Sequence, residues 1–176
     1  REKIDKQDRG DYFVSKDLLR YRPAAEELPV IFLHPKQWNG EVVIWIDGRG
    51  KAPLLDSTGD PRPEIQRLID AGCSVAGADL LFQGEFLEDG EVLTETRKVE
   101  NPRPFACFTH GYNHSLFARR VHDILTLISF VRNDEYQPKV ISLVGVAGAG
   151  PLVAAARAQA NRRERHHFET RKLLPP

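Results

Sequence analysis

Between residues 115 and 132 the apolar positions recur at helical spacing. Phe117, Val121, Ile124, Leu125, Ile128 and Val131 share one face, and Arg119, Arg120, Asp123 and Arg132 lie largely elsewhere. That period predicts a helix from about Ser115 to Arg132, with Asn113 or Ser115 as its cap. A shorter helix is predicted over Pro61 to Ala71. Proline stands near its start, Ile65, Leu68 and Ile69 make the apolar face, and Gly72 stops it.

Elsewhere the apolar residues run without interruption. Val30 to His34, Glu41 to Asp47 (EVVIWID) and Ser74 to Leu81 (SVAGADLL) read as strands buried on both faces, as in a sheet covered by helices. Asn39-Gly40 between the first two is a good turn dipeptide and predicts an antiparallel hairpin. Val140 to Gly150 (VISLVGVAGAG) is a further β-type run, breaking into glycine and alanine before an Ala-rich helix from Pro151 to Ala160. The order hairpin, helix, strand, helix, strand, helix predicts an α/β chain: a three-layer α/β/α domain with a mostly parallel sheet. Residues 1–27 read as a charge-rich extended lead-in, 28–160 as the domain, and 161–176 (NRRERHHFETRKLLPP) as an irregular polar tail without periodicity. Gln83 to Pro104 reads as a long polar connection with a small hairpin around Asp89-Gly90. No internal repeat is present.

Composition narrows the function classes. A length of 176 residues suits one domain with a real core. The 25 basic residues balance 25 acidic ones, so the basic footprint of a nucleic-acid binder is missing. No apolar run approaches the length that crosses a bilayer, and no signal-peptide core is visible. The chain has no methionine, not even an initiator, and so reads as a piece of something longer. Cys73 and Cys107 make no metal motif; two free, mostly buried thiols are expected rather than a disulfide.

A strand, a very tight turn and a helix of small residues is how an α/β-hydrolase presents its nucleophile, in the pattern G-x-S-x-G. Counting two positions on from Gly145, the serine position is Ala147. A methyl group has neither a lone pair nor an ionisable proton, so Ala147 cannot attack an ester. The backbone donors that would stabilise an oxyanion are then Gly148, just after the nucleophile position, and Gly48 or Arg49 in the DGRGK loop, a flexible glycine loop after the second strand. Losing the serine of such a triad costs on the order of a million-fold in kcat in a model protease. Gly145 and Gly150 read as packing glycines that let strand and helix approach.

Together these pieces carry a resemblance. LPVIFLHPKQWNGEVVIWIDGRGKA, DLLFQGEF, FTHGYNHSLFARRVHDIL and LVGVAGAGP make residues 28–160 resemble the α/β-hydrolase proteins of the acetyl xylan esterase type, in particular a divergent planctomycete-type branch. The resemblance implies the first part of an α/β-hydrolase sheet, truncated just past the nucleophile strand, and removal of acetyl groups from sugars through Ser-His-Asp. It implies an acetylated carbohydrate or small ester as partner, no cofactor, and a secreted or periplasmic location. Gly or Ala at the serine position is a feature of that branch. The acid and histidine would lie beyond residue 160. The alternative is a non-catalytic carbohydrate- or protein-binding module on the same fold. A truncated sheet would leave the Val140 strand with an open edge, which a second copy, the tail, the N-terminal segment or a missing C-terminal segment would cover.

Other constellations carry less. Asp79, Gln83 and Glu85 follow a strand at the end where open α/β sheets place ligand contacts, so they read as a polar pocket rim or as loop caps. His110, Asn113 and His114 read as a polar loop over the site. The four-residue spacing of the two histidines would suit a metal only on a helix, which Gly111 and Asn113 oppose. Arg120 and Asp123 are spaced to pair along their helix. His166-His167 reads as part of a solvated end, and neither Ser115 nor Ser142 as a substitute nucleophile. GVAGAG lacks the dinucleotide spacing G-x-G-x-x-G.

Overall fold

Uninterrupted and periodic stretches assemble as a sheet between two helical layers. A computed structural model describes residues 2–21, 26–87, 92–95 and 114–171, with 161–171 as backbone alone. Its six strands are β1 (Glu2–Asp8), β2 (Tyr12–Tyr21), β3 (Glu26–Pro35), β4 (Glu41–Asp47), β5 (Ser74–Ala78) and β6 (Val140–Val146). They lie in the order β1-β2-β3-β5-β4-β6. The helices among the described residues are α1 (Pro63–Asp70), α2 (Leu116–Arg132) and α3 (Gly150–Arg171).

Side chains of a strand alternate between faces, and here both faces are covered. Val30 joins Ile44, Ala76, Ile124, Leu127 and Ala156 in the core beneath α2 and α3. Its neighbour Ile31 joins Leu54, Ile65, Ile69 and Val75 in the core beneath α1. Burying a side chain of this kind stabilises by roughly 1.5–3 kcal/mol, so a strand covered on both sides favours apolar residues throughout. All five residues of β5 are buried. The helix read from the 115–132 period forms, with the Ser115 hydroxyl accepting from the Ala118 N–H at its start, but its buried face takes in Leu116, Arg120 and Leu127, and Phe117 is exposed.

The sheet is mixed rather than mostly parallel. β1–β2, β2–β3 and β3–β5 pair antiparallel, and the parallel pairs are β5–β4 and β4–β6. Part of the difference comes from residues 1–27, which supply two antiparallel strands. In β2, Tyr12 and Val14 pack into the core beneath α1, while Lys16 and Arg20, further along the same face, are exposed. Leu19 packs on the other face beside the buried Ser15 and Asp17, so the strand is a broken pattern and not an apolar run.

The hairpin expected from β3 and β4 does not form, because β5 lies between them. The reversal at Asn39-Gly40 is present, but it docks on the turn after α1: the Asn39 N–H donates to Gly72 O (3.0 Å) and its amide to Ala71 O (3.0 Å). A crossover through α1 gives both apolar strands a partner on each edge, which a two-stranded hairpin could not.

At the other end, α3 continues as helix to Arg171, where an irregular tail was expected from Asn161. Ala, Arg, Glu and Gln favour helix without any amphipathic period, so the periodicity test missed it. β6 ends the strand order; among the described residues its outer edge is unpaired, and Val140 is 47% exposed. No described helix is long and apolar enough to cross a membrane.

Candidate functional site

The parallel strands β4, β5 and β6 point their C-terminal ends to one edge of the sheet. At that edge the chain turns from β6 into α3 within three residues. Ala147 has φ +49° and Gly148 φ +87°. The Ala149 N–H returns to Val146 O at 3.0 Å, and α3 starts at Gly150. The left-handed conformation costs a residue with a Cβ about 1–2 kcal/mol, so Ala147 is strained where glycine would not be. A Cβ on Gly145 would sit 3.0 Å from the Ala149 carbonyl and from Gly150 Cα, so the strand approaches the helix start as expected for that glycine. Gly150 differs: a Cβ there would meet open space, so close packing does not explain it. Ala149 is fully buried, whereas Ala147 and Gly148 are exposed. The Gly148 N–H has no acceptor among the described residues.

Beside this turn lies the loop after β4, which is tied down rather than flexible. The Gly48 N–H donates to Val146 O (3.1 Å), extending the β4–β6 ladder. A Cβ on Gly48 would collide with the Ala147 carbonyl oxygen, so the loop and the turn are in contact. Asp47 accepts from the Arg49 N–H (2.9 Å) and from its guanidinium at 2.9 and 2.8 Å. Burial works to raise the Asp47 pKa, but these Arg49 contacts hold it below the usual carboxylate range. Of the three expected oxyanion donors, Gly48 and Arg49 therefore have their N–H groups engaged, and Gly148 alone is open among the described residues.

Asp79 and Gln83, expected as a pocket rim or as caps, are buried at 1% and 0% exposure. Asp79 accepts from the Lys51 N–H (2.7 Å), from the Lys51 ammonium and from the Glu85 N–H (3.1 Å). Gln83 donates to Gly48 O (2.9 Å) and accepts from the Leu80 N–H (3.2 Å). Both act as braces between the loops after β4 and β5. Glu85 reaches the surface and pairs with Lys51 at 2.6 Å.

Arg120 and Asp123 do not pair with one another. The Arg120 guanidinium donates to the carbonyls of Leu81 (2.9 Å), Phe82 (3.2 Å) and Leu93 (2.6 Å). Asp123 accepts from the Leu81 N–H at 2.8 Å. Burial pushes its carboxyl up to about 6, against the lowering effect of that bond. Each therefore clamps the loop after β5 to α2, and the Phe82 conformation (φ +58°) is held between them.

His114 is exposed just before α2, while His110 and Asn113 lie outside the described residues, as do Cys107 and the Asp89-Gly90 turn. Among the described residues no three His, Cys, Asp or Glu gather at metal-binding distance. The structure thus brings Ala147, Gly148, Gly48 and Arg49 to one surface, with Asp79, Gln83 and Glu85 bracing its flank. The sequence reading missed Lys51, because nothing in a lysine after a glycine loop announces burial. It gave Asp123 a partner along the helix, not across to another element.

No protein-family profile and no curated protein matches the sequence. Solved structures do resemble the fold. A cold-adapted esterase from an Arctic intertidal metagenomic library superimposes with TM-score 0.57 at 11% identity, over 90% of this chain and 61% of that one. Acetyl xylan esterase 1 from Thermoanaerobacterium sp. gives 0.58 at 17% identity, over 88% and 48%. A glucuronoyl esterase from Solibacter usitatus gives 0.56 at 12% identity, over 92% and 49%. The chain therefore spans between about half and three-fifths of the length of these structures. The likeness is one of fold: an α/β-hydrolase-type sheet shared with esterases.

Proposed function

We propose that this chain is the esterase-like scaffold of a carboxylic-ester hydrolase in which the attacking position is held by Ala147 and catalysis is weak or absent. The observation carrying the reading is the turn after β6. An exposed Cβ is held at φ +49°, beside a Gly148 N–H that has no acceptor among the described residues and at the start of α3. A strained strand-to-helix turn of this kind lifts a side chain clear of the sheet edge, where a substrate carbonyl can reach it. With an oxygen at that Cβ, the Gly148 N–H would stand next to the nucleophile, as an oxyanion donor must. Acetylated carbohydrates and small esters are the substrate class, in keeping with the esterases that share the fold. A second reading, favoured by the methyl at Ala147, has the same surface bind such a ligand without cleaving it.

Thiol chemistry tests the turn without needing a histidine or an acid. A cysteine is nucleophilic on its own, and a helix N-terminus lowers its pKa. Ala147→Cys should release about one equivalent of nitrophenolate from p-nitrophenyl acetate in a burst, while the parent reacts at the background rate of its native thiols. Ala147→Ser should gain less, because its hydroxyl has no base to deprotonate it. Steady turnover by the parent would overturn the inactive assignment. An Ala147→Cys thiol no faster than the native ones would overturn the site itself. Calorimetric binding of acetylated xylan fragments to the parent, without release of acetate, would select the second reading.

A further inference from the structure

A cavity lies at the opposite end of the same strands. Val42 and Ser74, at the N-terminal ends of β4 and β5, line this space of about 320 Å³. It is separated from Gly48 and Ala147 by the length of β4, about 15–20 Å. Nothing in the esterase-like reading uses it.

Its walls are aromatic. Phe32 and Phe130 meet with ring centroids 5.8 Å apart, and His34 lies between Trp38 (5.6 Å) and Tyr136 (5.7 Å). Trp38 and Tyr136 meet edge-on at 6.4 Å. Tilted arrangements of this kind suit the electrostatics of aromatic rings, and a further planar ring can join them on the same terms. Volume sets the size of the guest. A dry cavity of about 150 Å³ holds benzene, so roughly twice that volume matches two fused rings.

Charge and hydrogen bonding set its polarity. Lys6 and Lys36 stand on one side of the rim, with their ammonium groups 4.5 and 5.0 Å from the centre of the Phe13 ring. Asp134 and Glu135 line the cavity as well, and the Lys36 ammonium is itself paired with Asp8 at 3.0 Å. Such a rim offers no net attraction to an anion, which would be desolvated there without compensation. Inside, Nδ1 of His34 shares a proton with the Ser74 hydroxyl at 2.6 Å. The other ring nitrogen has no partner among the described residues. Burial holds His34 below its ordinary pKa, against the opposing pull of Asp134, and so favours the neutral ring. Its free nitrogen is a donor or an acceptor according to tautomer, and a hydroxyl group satisfies either.

We propose that this cavity is a binding site for an uncharged aromatic molecule of about two-ring size that carries a hydroxyl group, a phenol-type ligand held by the rings and by His34. Like other small-molecule sites it is concave and mostly apolar, with a few polar groups to fix orientation.

Isothermal titration of the protein with 2-naphthol tests it. A guest of this size should bind with Kd between about 10 and 100 μM. The anion 2-naphthoate, of the same shape, should bind at least about tenfold more weakly. Tyr136 is 62% exposed, so Tyr136→Ala removes a wall of the site without disturbing the core and should weaken 2-naphthol about fivefold or more. His34→Phe should weaken 2-naphthol severalfold while leaving naphthalene, which lacks the hydroxyl, bound as in the parent; equal loss of both overturns the role given to His34. The proposal is overturned by an absence of saturable binding up to about 1 mM, well above the expected Kd. Tighter binding of the naphthoate, or identical affinity in the Tyr136→Ala protein, overturns it as well.

Discussion

Two turns leave the sheet at the same edge, one after β5 and one after β6, and both hold a non-glycine residue at positive φ. After β5, the conformation of Phe82 is secured from outside. Arg120 binds the carbonyls of Leu81 and Phe82, Asp123 holds the Leu81 N–H, and Asp79 and Gln83 satisfy the surrounding backbone from within. After β6, no side chain among the described residues hydrogen-bonds Ala147; Gly48 lies against its carbonyl, and the Gly148 N–H has no acceptor among those residues. Strain that is compensated locally is part of how a loop is built. Strain maintained on an exposed residue, with nothing gained beside it, points instead to what the position presents to solvent.

The sharpest way to break this contrast is to remove the brace after β5. Lys51 and Asp79 are both nearly inaccessible, and Asp79→Ala would leave the ammonium buried with only the exposed Glu85 as its counter-charge. Stripping one partner from a buried pair destabilises by about 3–5 kcal/mol. The Asp79→Ala protein should therefore unfold at a much lower urea concentration. Glu85→Ala removes a carboxylate that is 58% exposed and should lower the midpoint only slightly. Equal losses from the two substitutions would mean that Asp79 is not the brace described here.

How much of this could be read from the chain differs between the two turns. The turn after β6 is local: strand, Gly145, Ala147, Gly148 and helix are contiguous, and the glycine spacing alone placed Ala147 at its apex. The helices α1 and α2 were legible for the same reason, since the period and the stops lie within each segment. The brace after β5 is assembled from residues 28 to 42 positions apart. Such pairings leave no trace in periodicity or spacing, so Asp79 looked like a pocket rim and Asp123 like half of a pair along its helix. Strand order escaped for a similar reason. EVVIWID shows that both its faces are buried, but not which strands lie on its two edges. The aromatic cavity draws Phe32, His34 and Trp38 from one stretch and Phe130 and Tyr136 from another, and only the antiparallel placement of β3 makes them neighbours.

The comparison sharpens further at Asp123, the other clamp on the loop after β5. Its carboxyl titrates near 6 because burial disfavours the charged form, against 3.8 for the group in its ordinary state. The folded protein thus holds this proton more tightly than the unfolded chain. Stability from this group is greatest below about pH 4 and falls as pH rises through 6, by an amount on the order of 3 kcal/mol. Asp123→Asn keeps an acceptor for the Leu81 N–H and abolishes the ionisation. Relative to the parent, it should gain stability progressively from pH 4 to pH 7 in urea titrations and hold the gain at pH 8. A difference between the two proteins that does not vary with pH would show that burial does not perturb this carboxyl.

The smallest effect bears on Ala147 itself. Replacing alanine by glycine normally destabilises, because the unfolded chain gains freedom, and in the exposed interior of α3 at Ala154 the loss should be about 1 kcal/mol. At φ +49° the sign reverses: glycine relieves a strain of about 1–2 kcal/mol, more than the entropy it adds, leaving a net gain of about 0.5–1 kcal/mol. For a chain of this length, a gain near the top of that range raises Tm by about 2–4 °C. Ala147→Gly should thus melt above the parent and Ala154→Gly below it, in the same calorimetric series. Opposite signs would establish that the fold keeps a side chain at the apex at the expense of its own stability, as a site for presenting an atom to solvent would require. If both substitutions lower Tm alike, Ala147 is not strained, and the turn after β6 loses its distinction from any other helix start.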